Sequence, residues 1–374
     1  MCGMQHSVIK PAEPWALPLN YTLMPDYFRC LGYKTHMVGK WHLGYYDRQY
    51  VPIKRGFDTF LGFYNPSLDY YNQNFKGVCL LISCMVDALD QSIGIVVDTL
   101  QKAGMLNDTI IVFCSDNGAL PWGFKSNRGY NWPLRGGKFT LYEGGVRGTA
   151  FLWSRRLKNT KRVSNQLMHI SDWLPTLYSS AGGNVSDLGN IDGVDMWDSL
   201  SASHKSQRDM VVLNINSVLN YSAIRVGDYK LIEGRFNKSL YDQRFETVGG
   251  KRPLDDLEAL MNECVAASAL RDLYKPEPLQ FSPYWRAEAK INCSNEPSSV
   301  DIHQDTFYLF NIKEDPCETN NLVCEKTEAG KLNELKKLLA DLKKEEAKPL
   351  NKPADPAAYP ECHNGIWDHW TPTV

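Results

Sequence analysis

Over residues 83–103, apolar side chains recur at Val86, Leu89, Ile93, Val96, Val97 and Leu100. Steps of three and four put them on one face of an amphipathic helix, which Gly104 is placed to stop. The run 110–113 (Ile-Ile-Val-Phe) has no polar alternation, the pattern of a buried parallel strand, and it empties into Ser115-Asp116-Asn117-Gly118. A helix feeding a central strand is a crossover unit, and open α/β sheets keep their ligands at strand exits. Upstream, Leu23, Tyr27, Phe28 and Leu31 mark a helix within 19–31 with Gly32 as its stop. A short strand over 35–38 then leads into Gly39-Lys40-Trp41-His42. If the chain stays extended there, Lys40 and His42 face the same way.

Further on, Gly136, Gly137, Gly144, Gly145 and Gly148 form a glycine-rich bend around Lys138, followed by a strand over 149–153. Ser171 or Asp172 caps a helix running over 173–181, closed by Gly182 and Gly183. Residues 1–210 thus read as a large domain and 211–374 as a second one, with strands at 223–226, 229–233 and 307–310. A late helix over 331–347 carries Leu332, Leu335, Leu338, Leu339 and Leu342 on its packing face, and its lysines form a solvated outer face.

The length of 374 residues agrees with two domains, since single cores stop growing at about 250 to 300 residues. A formal net charge of −2 gives no basic surface for nucleic acid or an anionic membrane. The longest apolar stretch, 77–86, is too short for a membrane span, which needs about 20 residues. The ten cysteines include no C-x-x-C pair, so disulfides are favoured over zinc, with Cys293, Cys317, Cys324 and Cys362 clustered late. Cys79, Cys84 and Cys114 lie inside apolar runs, and for them a buried free thiol is the competing reading. Sequons at Asn20, Asn107, Asn184, Asn220, Asn237 and Asn292 fit a glycoprotein of the secretory route. The start at Met1 carries neither a basic nor an apolar segment, so it is not read as a signal peptide.

Asp116 and Asn117 offer one charged and one neutral oxygen donor, hard ligands suited to calcium or magnesium rather than zinc. Taken alone, Asp-Asn-Gly is equally a turn. Lys40, His42 and Lys138 together would surround an anionic group such as sulfate or phosphate. Separately, they are two solvated lysines and a histidine hydrogen-bonded beside Trp41. No serine, threonine or cysteine declares itself as a nucleophile to go with them.

The segments 32–44 (GYKTHMVGKWHLG), 55–59 (RGFDT), 133–147 (PLRGGKFTLYEGGVR) and 169–177 (HISDWLPTL) closely resemble the arylsulfatase B-like branch of the sulfatase family. Segments 224–231 and 309–322 resemble it as well, so the likeness runs nearly end to end. The resemblance implies an α/β alkaline-phosphatase/sulfatase-like sandwich with a smaller α+β C-terminal domain. It implies sulfuric ester hydrolysis on a sulfated glycosaminoglycan or another sulfate ester, and a lysosomal or secreted location. By the same resemblance Lys40, His42 and Lys138 contact the sulfate group, with His42 and Lys40 as catalytic groups, while Asp116 and Asn117 ligate Ca2+.

The departures are equally specific. Sulfatases use a formylglycine made from the cysteine of a C-x-P-x-R motif, and no cysteine of this chain stands in one. The resemblance places that motif and two aspartate calcium ligands upstream of Met1, so the central sheet and the metal shell are expected to be incomplete. It places a catalytic-histidine segment in a gap near 75–84. Three readings follow from the chain as written: a truncated gene model or splice form of a working sulfatase, a pseudoenzyme that binds sulfated glycans, or a phosphatase or phosphodiesterase of the same superfamily.

Overall fold

The computed structural model describes residues 3–66, 78–121, 129–202, 204–234, 241–244, 255–276, 284–293 and 306–371. Of the expected gap near 75–84, residues 75–77 lie outside these residues and 78–84 form the start of a helix. The architecture is α/β in mixed layers, with small sheets rather than one broad one.

The first helix, α1, is Met24–Cys30, shorter than expected because Pro25 occupies its first turn, where a missing N–H costs nothing. Strand β1, His36–Lys40, runs parallel to β2, Thr59–Phe63, in a register that pairs Val38 with Leu61 and Lys40 with Phe63. The parallel pair continues past β1, where Trp41 and His42 donate backbone N–H groups to the carbonyls of Phe63 and Tyr64 at 2.9 and 3.0 Å. Val38 and Leu61 lie 80% and 73% exposed, an apolar face left open in this two-stranded sheet.

Helix α2, Val78–Lys102, extends the expected amphipathic helix toward its N-terminus, and Gly104 follows in the left-handed region at φ 70°. Its Val97 packs with Leu106 and with Ala269 of helix α7, Val265–Tyr274, in a cluster that Ile93, Leu100, Ile111 and Trp153 join. Strand β3, Ile111–Cys114, does not meet the expectation of a buried parallel strand. It pairs antiparallel with β4, Ala150–Trp153, and its residues are only half-buried, ending in an exposed Cys114. An unbroken apolar run states that a strand buries surface. It does not state which way its neighbour runs. Between β3 and β4 lies the short helix α3, Glu143–Val146.

Helix α4, Trp173–Ser180, begins where expected, but the Asp172 side chain does not cap it. That carboxylate instead accepts from Arg208 and from the backbone N–H groups of His169 and Val194. Helix α5, Trp197–Ala202, follows, and helices α6, Asp255–Glu263, and α8, Tyr284–Ala289, flank α7 along the chain.

The second half is built on an antiparallel sheet in the order β5-β6-β7-β8, formed by Met210–Asn216, Tyr221–Val226, Tyr229–Glu233 and Phe307–Asn311. Alternate residues point to opposite faces. Ile215, Ile224, Leu231 and Leu309 meet Leu332, Leu335 and Leu339 of helix α9, Ala329–Lys344, and each such buried side chain contributes about 2 kcal/mol. The other face, with Ala223, Ile232, Tyr308 and Phe310, packs on Tyr142. That contact seats the glycine-rich bend against the C-terminal sheet.

Of the late cysteines, Cys293 and Cys317 form a disulfide, while Cys324 and Cys362 are free and exposed. The sequons at Asn20, Asn107, Asn184, Asn220 and Asn292 are exposed. Asn237 lies outside the described residues. None of the described helices is long and apolar enough to cross a membrane.

Candidate anion-binding site

Lys40 ends β1, and His42 follows one residue beyond the strand with φ 58°. The chain therefore leaves the extended conformation at His42, and simple alternation does not relate the two side chains. What turns His42 is a tertiary contact: its Nε2 donates to the carbonyl of buried Ile9 at 2.9 Å. A carbonyl only accepts, so Nε2 carries the hydrogen and Nδ1 is the free nitrogen of the neutral ring.

Lys138 arrives from the glycine-rich bend. Its backbone N–H donates to the carbonyl of Ala119 at 3.0 Å, which ties the bend to the segment leaving β3. Asn131 reinforces the tie by accepting from Ala119 N at 2.7 Å and donating to Ala119 O at 2.9 Å. Gly118 N donates to Gly145 O at 2.9 Å. A Cβ on Gly118 would stand 1.7 Å from Gly144 O, and one on Gly145 would stand 2.4 Å from Thr140 O. Glycine is required at both positions because two backbones touch there.

The electrostatics show which residues share one place. Burial lowers the Lys40 pKa, the charge of Lys138 lowers it further, and Asp116 opposes both. His42 is lowered as well, first by burial and then by the charges of Lys40 and Lys138, against the Ile9 carbonyl, which favours the protonated ring. Two lysines and a histidine from two distant parts of the sequence thus converge, with one carboxylate beside them. The lowering of Lys40 and His42 by neighbouring positive charge is relieved when an anion enters among them.

Asp116 is exposed at the exit of β3, and Asn117 is half-buried with its Nδ2 turned onto the Gly118 carbonyl at 2.7 Å. That bond leaves Asn117 Oδ1 as a further oxygen donor. Calcium takes six to eight oxygens, and among the described residues no group of three or more His, Cys, Asp or Glu side chains is placed to hold a metal. The donors present do not fit a closed calcium site.

Sequence reasoning missed Ile9, Asn131 and a set formed by the buried Glu143, Lys230 and Glu318 with the half-buried Arg135. The first two act through atoms that carry no sequence signature, a main-chain carbonyl and an amide in an Asn-Trp-Pro stretch. Of the third, only a lysine in the middle of an apolar strand was visible, at Lys230.

The family description Sulfatase matches residues 2–81 and 83–183. Mouse arylsulfatase J is 29% identical over 98% of this chain and 70% of its own length. That alignment runs over 447 residues, more than the 374 of this chain, so arylsulfatase J holds residues within the matched span that have no counterpart here. Rat N-acetylgalactosamine-6-sulfatase is 26% identical over 57% of this chain and 54% of its own length. Human arylsulfatase A is 24% identical over 61% of both chains. The chain therefore spans little more than half the length of these last two relatives. Among solved structures, Ps i-CgsB superposes with a TM-score of 0.64 at 17% identity, covering 93% of this chain and 80% of that one. The PsFucS1 sulfatase from Pseudoalteromonas sp. gives 0.55 at 19% identity, covering 89% and 74%. Ps i-CgsB has also been solved in complex with k-i-k-neocarrahexaose.

Proposed function

We propose, for a chain that carries a domain of the sulfatase family, that Lys40, His42 and Lys138 form a site for the sulfate group of a sulfated glycan. The carrying observation is that the charge of Lys138, added to burial, lowers both Lys40 and His42, since groups so placed gain from an anion between them. The saccharide bound by Ps i-CgsB supports a glycan as the group that bears the sulfate. Lys40 and Lys138 compensate the charge. His42, fixed by Ile9, presents Nδ1 to the ester.

Sulfuric ester hydrolysis is the family's chemistry, and the family uses a metal ion. For the polypeptide as written we propose binding without turnover. It has no C-x-P-x-R cysteine, and among the described residues no group of three or more His, Cys, Asp or Glu side chains is placed to hold a metal. Catalytic groups that act as a unit lose nearly all rate when one is missing. Division at 210/211 into a site-bearing and a C-terminal domain, a glycoprotein nature and a lysosomal or secreted location belong to the same reading. A phosphatase alternative is less well supported, because the relatives found are sulfatases.

The test is titration of the purified chain with a sulfated oligosaccharide and with its desulfated counterpart. Binding of the sulfated form alone, weakened about tenfold or more in Lys138→Ala, is the expected result, one cationic contact being worth about 1.5–3 kcal/mol. Equal affinity for both saccharides would defeat the sulfate reading. Release of sulfate from an aryl sulfate with added calcium would defeat the claim of binding without turnover.

A further inference from the structure

Phe139 directly follows Lys138, and its backbone stands in the left-handed region at φ 82°. It is the third residue of a turn that Thr140 N closes on Gly137 O at 2.9 Å, the place at which a turn with such a φ ordinarily takes glycine. A bulky residue there departs from what the backbone prefers, and strain of this kind gathers at functional positions. Burial does not explain it, since Phe139 stays 44% exposed. The turn itself is firmly held. Lys138 N donates to Ala119 O at 3.0 Å, and the hydroxyl of buried Thr140 donates to Gly137 O at 2.9 Å while accepting from Gly137 N at 3.2 Å. It therefore presents an aromatic ring beside the ammonium group, with Lys138 Nζ 5.9 Å from the ring centroid. A second ring extends the first: half-buried Tyr241 lies 6.2 Å from Phe139 between centroids, tilted by 43°. Its segment is pinned along the bend by Gly136 N on Gln243 O at 3.0 Å, Arg135 Nε on Asp242 O at 2.7 Å and Arg244 Nε on Pro133 O at 3.1 Å.

We propose that Phe139, with Tyr241 beside it, is the specificity-determining platform of the anion site, taking the C–H face of the pyranose ring whose sulfate is held at Lys138. The proposal rests on the anion-site reading for the place of the sulfate, and it adds the group that carries the sulfate.

An aromatic face is apolar and electron-rich. A pyranose matches it, with C–H hydrogens of slight positive charge on one face and hydroxyl groups around the rim. A sulfate oxygen accepting from Lys138 Nζ leaves the carbon of its ester a few ångströms away, within the separation that divides Nζ from the Phe139 ring. That separation stands at the outer limit of cation–π attraction, so the ammonium group does not cover the ring face. Inorganic sulfate gains from Lys138 and gains nothing from Phe139, whereas a pyranosyl sulfate gains from both. The rings thus discriminate between anions of equal local charge, and specificity is such a difference of affinities. The strained turn is what sets the ring next to the cation, since a glycine there leaves Lys138 without a neighbouring apolar face.

The experiment is calorimetric titration of the full chain with a sulfated chondroitin hexasaccharide, with the desulfated hexasaccharide and with inorganic sulfate. Phe139→Asn removes the ring and keeps a residue that tolerates positive φ, so the turn is retained. It should lower the ratio of sulfated-hexasaccharide to sulfate affinity about five- to tenfold, the worth of one aromatic contact, and Phe139→Tyr should keep the ratio within about twofold of the parent. An unchanged ratio in Phe139→Asn, with the sulfated hexasaccharide still bound, overturns the platform and leaves the anion site standing. A desulfated hexasaccharide that binds the parent as tightly as the sulfated one, and binds Phe139→Asn more weakly, defeats the sulfate reading and upholds the platform as a sugar contact. Failure of both hexasaccharides to bind the parent overturns both. Should Phe139→Asn fail to fold, saturation-transfer NMR on the parent decides. Transfer from aromatic side chains concentrated on the C–H protons of one pyranose face supports the platform, and even transfer to both faces overturns it.

Discussion

The Nε2 of His42 donates to the main-chain carbonyl of Ile9 at 2.9 Å across 33 residues of sequence, and this one bond sets the proton chemistry of the candidate site. With Nε2 committed, the neutral ring turns a lone pair on Nδ1 toward an incoming anion, and only the imidazolium turns a donor there. Burial and the charges of Lys40 and Lys138 keep the free ring below its ordinary pKa. An anion bound among the three groups raises it, so binding takes up a proton. Affinity for sulfate is therefore expected to increase as the pH falls through the raised pKa of the sulfate-bound ring toward the lowered pKa of the free one. Calorimetry in buffers of different ionisation enthalpy should show proton uptake of up to one per sulfate in this range. His42→Gln should abolish it, and uptake unchanged in that variant would refute the assignment to His42.

The backbone contact between Gly118 and Gly144 makes a second prediction, about stability. Gly118→Ala puts a methyl group 1.7 Å from the Gly144 carbonyl, so the exit of β3 and the glycine-rich bend must separate. The expected cost is about 2–3 kcal/mol or more, with weakened sulfate binding because the bend carrying Lys138 is displaced from its place beside Lys40 and His42. Gly330 near the start of α9 is the control, since a Cβ there meets nothing within 4 Å. Gly330→Ala should stabilise by about 0.5–1 kcal/mol through helix propensity. Urea unfolding of both variants checks the pair, and a Gly118→Ala protein as stable as the parent would show that the bend yields.

How far the sequence speaks for itself follows from where each feature keeps its information. The β6, β7 and α9 elements were legible because their faces alternate or recur within one segment, as in Leu231 beside Ile232 or Leu335 beside Leu339. The direction of β3 was not legible, because an apolar run over 111–113 serves a parallel or an antiparallel neighbour equally. Strand β2 was missed altogether, since Thr59–Phe63 carries one apolar pair and a glycine and depends on β1 for its existence. In the site, Lys40, His42, Lys138, Asp116 and Asn117 could be named from motif and family. Their geometry could not: His42 is turned by a carbonyl, and the bend that carries Lys138 is anchored at Glu143 by Glu318, 175 residues away.

Asp172 yields the last prediction, because the expectation for it was wrong in a way that raises its importance. Placed to cap α4, it is instead completely buried and accepts four hydrogen bonds. Arg208 Nε and Nη2 approach at 2.8 and 2.5 Å, and the N–H groups of His169 and Val194 at 2.7 and 2.9 Å. A carboxylate so surrounded holds three segments together: the turn before α4, the loop at 192–194 and the entry to β5. Its removal leaves an arginine with a side chain 12% exposed holding only the carbonyls of Met210 and Asp192, without a countercharge, and leaves two backbone donors unpaired. Asp172→Ala is therefore expected to cost about 3–5 kcal/mol, far beyond the roughly 1 kcal/mol of a lost helix cap. Arg208→Ala should cost a similar amount, and the double variant should fall short of the sum by about 1–3 kcal/mol, the signature of groups in contact. Chemical denaturation of the three variants measures these values. An Asp172→Ala loss near 1 kcal/mol with no coupling to Arg208 would reduce Asp172 to the cap that the sequence alone had proposed.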